Sequence, residues 1–405
     1  MRNRLYGTRL LPLVLLTMGL TACGTSSQEA ADKVATAMMP GTVLSKQACS
    51  LNVAGLPVPL ASCMQVTYAT TDTRGRPSQT LTTIFVPANA PAAGQRVLVS
   101  YQTAEDGLTT KCAPSNTLKA GTENEIGTIG NALAKGWVVS VPDYEGPDSQ
   151  FEARANSAHG VLDGIRAAEN LPEIGLQGVA TPVALWGYSG GGFGTLAAAE
   201  GQLGYAPEIN VVAIAEGGSA FDIRSTFAYL DGGPFTGIVF TGLVGVVRAY
   251  ADVLNINDYV NDAGKQLIAD LGEMCVAKEG SGVRDPAYGY PFQSLNQYTN
   301  VPNTLDLPVP ASVVVDNSLG KSKPGAPIFL YHGQSDELIS YTGQAQLQFK
   351  TYCAMGVPMD FFTVPLGEHI ATTAIGTPFA VQFISDRFAK KPVTTLPGDQ
   401  SCNLP

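Results

Sequence analysis

Short apolar runs and longer, polar-interrupted segments alternate along most of this 405-residue chain. Seven runs read as strands: 80–87 (TLTTIFVP), 96–102, 136–143, 183–187, 210–216, 328–333 and 360–365. They are rich in Val, Ile and Phe, and most stop at a Gly, Pro or acidic turn residue. Between them, 126–136 reads as a helix stopped by Gly136, and 157–171 and 342–356 carry apolar residues at three- and four-residue spacing. Strands alternating with helices predict an α/β fold, a parallel sheet covered on both faces. The first strands follow one another without room for helices and are expected to be antiparallel. Residues 218–310 break the alternation. There 235–247 (FTGIVFTGLVGVV) is an apolar run of thirteen residues ended by Arg248, too short to span a membrane. It reads as a buried helix or a pair of short ones, and equally as a cap whose apolar face covers a site. Residues 299–312 read as a return loop.

Composition narrows this picture. At 45% hydrophobic and 14% charged, the chain can bury a large core and is not a disordered one. Its length fits one large domain with an insertion, or two domains. A net charge of −10 without a basic stripe excludes nucleic acid as a partner. Arg2, Arg4 and Arg9 precede the apolar LLPLVLLTMGL, the pattern of an export signal, and residues 24–33 read as a polar tether. The expected layout is a signal peptide over 1–22, a tether over 23–40 and one domain over 41–405. With Cys23 set aside, Cys49, Cys63, Cys112, Cys275, Cys353 and Cys402 remain, an even set that favours disulfides in an exported protein. Sequence alone does not choose among their pairings. No CxxC or HxxxH spacing occurs, so no metal is expected.

The segment Leu20–Cys23 (LTAC) resembles the lipobox of bacterial lipoproteins, which implies lipidation of Cys23 and membrane anchoring through it. An ordinary signal peptide cut nearby is the alternative; both mean export. Further on, GYSGG (187–191) matches G-x-S-x-G between a strand and a helix-like stretch. On such a turn the serine takes a strained conformation, and its neighbours lack Cβ so that strand and helix can approach. The turn exposes the Ser189 hydroxyl and aims the Gly190 N–H at the same spot. GFGTLA (192–197) with Glu216 imitates a dinucleotide fingerprint, but such a fingerprint opens its domain, and here several strands come first. No cofactor is therefore expected.

A serine hydroxyl needs a base. Of three histidines, His159 lies in a helix-like segment before the serine and His332 at a strand end, where each reads as structural. His369 follows the last strand and fits the serine–acid–histidine chain order of α/β-hydrolases. Asp336 is the acid on a strand-end loop between them, Glu337 the second choice, and Glu368 is too close to His369 to reach its Nδ1. The second donor to an oxyanion is expected from residues 101–107.

Several stretches go beyond the general hydrolase pattern: SYQTAEDG (100–107), CAPS (112–115), GWVVSVPDYEGP (136–147), GVLDGIRAA (160–168), WGYSGGG (186–192), YAPEINVVAIAEGG (205–218), HGQSDELI (332–339) and GEHI (367–370). On these the chain resembles the secretory lipase family, the yeast lipase A-like branch of the α/β-hydrolases, over about residues 60–390. The resemblance implies an α/β-hydrolase fold with a mostly parallel sheet, a helical cap over about 218–310, and Ser189, Asp336 and His369 as the triad. It implies Asp106 as the second backbone oxyanion donor beside Gly190, and a Cys112–Cys275 disulfide. Cys353–Cys402 and Cys49–Cys63 are then the expected remaining pairs. The function expected is an exported serine ester hydrolase acting on esters or lipids through an acyl-enzyme on Ser189. A peptidase or acyltransferase could use the same triad, and a catalytically silent lipid-binding lipoprotein is the reading from another class. The lipobox departs from the family's best-known members, which are freely secreted. Nothing in the sequence sets the oligomeric state.

Overall fold

The computed structural model describes residues 39–272, 274–276, 289–392 and 399–404. The expected signal peptide, Cys23 and all but the end of the tether lie outside the described residues. In chain order the strands are β1 (Val43–Cys49), β2 (Asn52–Val53), β3 (Leu56–Pro57), β4 (Ala61–Thr71), β5 (Pro77–Pro87), β6 (Leu98–Gln102), β7 (Val138–Pro142), β8 (Val183–Tyr188), β9 (Val211–Gly217), β10 (Ile328–Gly333), β11 (Met359–Val364) and β12 (Gln400–Cys402). β2 and β3 form a small hairpin; the rest make one sheet in the order β1-β4-β5-β7-β6-β8-β9-β10-β11-β12. The run from β7 to β11 is parallel throughout, with antiparallel pairs at both ends. The central strands β6, β7, β8 and β10 are buried at every position, which is why they stand out as mainly apolar runs rather than alternating ones. Of the first expected strands, β5 is antiparallel to both of its neighbours, β4 and β7, but β5 and β6 are not neighbours and β6 is parallel to both of its own. β5 pairs with β7, and β6 lies one strand further in. The helices between β6 and β7 make that crossover possible.

The helices are α1 (Pro114–Ala120), α2 (Ile126–Ala134), α3 (Arg154–Glu169), α4 (Gly190–Tyr205), α5 (Ile223–Leu230), α6 (Thr236–Ala249), α7 (Asp262–Leu271), α8 (Pro308–Asn317), α9 (Gln346–Ala354) and α10 (His369–Phe388). Alternate strand residues feed two cores. Leu98, Leu185 and Ile328 pack with Leu162 of α3 and Leu196 of α4, while Val99, Trp186 and Phe329 pack with Ile129 of α2 and Ile384 of α10. Helices thus cover both faces, as the period-two alternation of a strand requires.

Helices α5 to α8 form the cap inserted between β9 and β10. The apolar run at 235–247 folds as the single helix α6, and the Arg248 guanidinium near its end donates to the carbonyls of Leu108 and Asp148 at 2.7 and 3.0 Å. The return loop expected over 299–312 is too long: α8 begins at Pro308. Proline stands at the first position of a helix without loss, because the N–H it lacks has no partner there. No helix among the described residues is long and apolar enough to cross a membrane. Disulfides join Cys49 of β1 to Cys63 of β4, Cys112 to Cys275, and Cys353 of α9 to Cys402 of β12.

Candidate active site

β8 ends at Tyr188 and α4 starts at Gly190, leaving Ser189 alone in the turn with φ +58° and ψ −127°. This left-handed conformation is costly for a residue with a side chain. It is held by the Ser189 N–H, which donates to Gly217 O at 2.9 Å. The glycines around it are required by close approach. A Cβ on Gly187 would overlap the carbonyl of Gly191, one on Gly190 the Asp106 carboxylate, and one on Gly191 the carbonyl of Gln102 at the end of β6. The last obstacle is backbone and cannot swing away. Gly191→Ala is therefore expected to cost about 2–4 kcal/mol of stability, read as a lowered urea midpoint.

Asp336 lies just past β10. Its Oδ1 accepts the N–H groups of Leu338 at 3.0 Å and Ile339 at 2.7 Å, which leaves Oδ2 for His369 Nδ1 at 2.8 Å. His369 opens α10, and its Nε2 is 2.8 Å from Ser189 Oγ. A proton on Nδ1, donated to the carboxylate, leaves the Nε2 lone pair facing the serine hydroxyl. Both side chains are buried, His369 at 1% and Asp336 at 4% exposure. Burial opposes charging the His369 ring, but the Asp336 carboxylate outweighs it, and the pKa rises above the usual 6.5. The Asp336 carboxyl is likewise raised by burial and lowered more by His369, for a net downward shift.

The neighbouring acids do other work. Glu337 Oε2 accepts the His369 backbone N–H at 3.1 Å, and Glu368 caps α10 at the N–H groups of Ile370 and Ala371. His332 Nε2 lies 2.9 Å from Ile339 O and must donate to it, so its Nδ1 accepts the Gly218 N–H at 3.3 Å. That histidine braces the loop bearing Asp336. His159 stacks on Tyr205 with ring centroids 4.1 Å apart, in the second turn of α3.

Ser189, Gly190, His369 and Asp106 line one cavity of about 670 Å³. Asp106 has φ +43°, and its carbonyl accepts the Val276 N–H at 2.9 Å, beside the Cys112–Cys275 bridge. The cap supplies Phe227, Leu230 and Val239 to the cavity wall. Glu152, which sequence reasoning does not single out, also lines it. Among the described residues no group of three or more His, Cys, Asp or Glu could hold a metal ion.

The fold is that of the α/β-hydrolases, the class in which the turn after a central strand presents a serine to a histidine arriving from the end of the chain. Within that class the chain belongs to the secretory lipase family, whose family model matches residues 111–395. It is therefore a hydrolase of the lipase and esterase type. A secreted triacylglycerol lipase of Malassezia furfur is 33% identical over 334 residues, covering 78% of this chain and 84% of that protein. A protein of Mycobacterium tuberculosis named "Probable inactive lipase" is 32% identical over 366 residues, covering 88% of this chain and 80% of its own. The crystal structure of Candida antarctica lipase A in its closed state superposes with a TM-score of 0.81 at 26% identity, covering 91% of this chain and 86% of that one. Family and disulfides together mark an exported protein.

Proposed function

We propose that the protein is a serine ester hydrolase that cleaves carboxylic esters with an apolar acyl chain through an acyl-enzyme on Ser189. The observation that carries this reading is the pair of 2.8 Å hydrogen bonds linking Ser189 to His369 and His369 to Asp336. His369 Nε2 takes the hydroxyl proton as Ser189 Oγ attacks the ester carbonyl, and then gives it to the departing alcohol. Asp336 fixes the ring and stabilises the imidazolium. The backbone N–H groups of Gly190 and Asp106 receive the oxyanion. Cap helices α5 and α6 wall the cavity, and their apolar side chains receive the chain. Cys23 is the membrane anchor after removal of residues 1–22.

One relative carries the name of an inactive lipase, so the first test is whether the serine here reacts. A fluorophosphonate probe is expected to modify Ser189, and p-nitrophenyl esters are expected to turn over. A folded protein that does neither would sink the proposal. The pH profile gives a second test. The base works only when neutral, and its pKa is raised above 6.5, so kcat/KM is expected to fall with decreasing pH through a midpoint above that value. A flat profile from pH 8 to pH 5 would rule out His369 as the base.

A further inference from the structure

Glu152 sits in the turn leading into α3, two residues ahead of the helix, with φ +62°. Helix α6 presses on that turn: a Cβ at Gly245 would lie 2.5 Å from Phe151 O and 2.6 Å from Phe151 N. A Cβ at Gly242, one turn earlier, would lie 3.6 Å from Glu152 Cγ. The small residues of α6 thus seat the Glu152 side chain against the helix, in the wall shared with Phe227 and Val239. The residue is only 7% exposed, and its Oε2 has no hydrogen-bond partner among the described residues. Burial first, and the Asp106 charge second, push its pKa well above the usual carboxylate range. An isolated buried carboxyl group stays neutral rather than carry an uncompensated charge. The Glu152 carboxyl therefore offers an O–H donor to the apolar side of the cavity.

We infer that Glu152 is a specificity-determining residue, and that it selects esters whose largely apolar acyl chain carries a hydrogen-bonding oxygen, as an ether or a hydroxyl. This rests on the ester hydrolase reading above. The acyl chain, rather than the alcohol, occupies that side for a chemical reason. The leaving alcohol takes its proton from His369 and departs to water, and the cavity wall beside His369 is open, with Ile370 63% exposed. The wall around Glu152 is closed, with Phe227 at 5% and Val239 at 1% exposure. A chain with one oxygen at the right depth accepts the Glu152 proton. A plain alkyl chain leaves that donor unsatisfied, which lowers its transition-state binding.

The test uses p-nitrophenyl alkanoates and their isosteres with an ether oxygen in place of one methylene, the oxygen stepped along the chain. In the wild-type protein one oxygen position is expected to raise kcat/KM over the plain chain by about tenfold, the size of one hydrogen bond to a buried donor. Glu152→Gln keeps a donor and is expected to keep the preference; Glu152→Leu is expected to abolish it. Thermal melts show whether the variants are folded, and Glu152→Met, which keeps the length of the side chain without a donor, carries the test if the Leu variant is not. A wild-type profile without a preferred oxygen position, or a preference that survives in Glu152→Leu, overturns the inference and leaves the hydrolase reading standing. A wild-type protein that hydrolyses neither series overturns both.

Discussion

Replacing Ser189 with alanine is expected to lower kcat by about ten-thousand-fold to a million-fold, with far less change in KM. Without the hydroxyl there is no acyl-enzyme, and only the oxyanion donors and substrate binding remain to accelerate attack by water. The cavity wall is unchanged, so substrate should still bind. Alanine and serine tolerate the left-handed backbone at this turn about equally, so the melting temperature is expected to stay close to that of the wild type. Burst kinetics with a p-nitrophenyl ester separate the two effects: the acyl-enzyme burst should vanish while saturation behaviour persists. A variant that retains most of its kcat would remove Ser189 from the mechanism.

The second large effect is expected at the Cys112–Cys275 bridge, which closes a loop with a sequence separation of 163 residues. In the chain-entropy account, opening it in a Cys112→Ser, Cys275→Ser double variant costs roughly 5 kcal/mol, against roughly 3 kcal/mol for Cys49–Cys63. The Cys49–Cys63 bridge spans a separation of only 14 and joins strands already paired in register. The larger bridge also ties the end of α7 to the segment carrying Asp106, whose carbonyl is bonded to Val276. Its loss should therefore lower kcat in the molecules that remain folded. Urea unfolding and specific activity, measured on the same preparations of both double variants, test the ranking. Equal destabilisation by the two, with equal activity, would refute it.

The central strands were legible in the sequence because burial on both faces leaves a mainly apolar run. β1 and β4 were not. β1 is exposed or half-exposed along its length, and β4 mixes Ser, Gln and Thr with its apolar residues. α8 was hidden by its prolines, which normally signal a loop but are harmless in a first helical turn. In the sequence His369 shows only as a residue that follows the last strand. It is the first residue of a twenty-residue helix, and the Glu368 beside it, set aside as an acid partner, is that helix's cap. The spatial meeting of Ser189, Asp336 and His369 was foreshadowed by chain order alone, since each lies just past the C-terminal end of a parallel strand. Glu152 had no such signal. It reaches the cavity from a turn whose direction depends on a left-handed backbone and on glycines almost a hundred residues away in α6.

β12 is only three residues long, and it covers the outer edge of β11 while Cys402 is bridged to α9. Behind it, β11 carries Phe361 and Phe362 on a backbone that could accept another strand. The tail thus shields that edge, and reduction of the Cys353–Cys402 bridge is expected to open it to pairing with another copy, read as a rise in light scattering under reducing conditions.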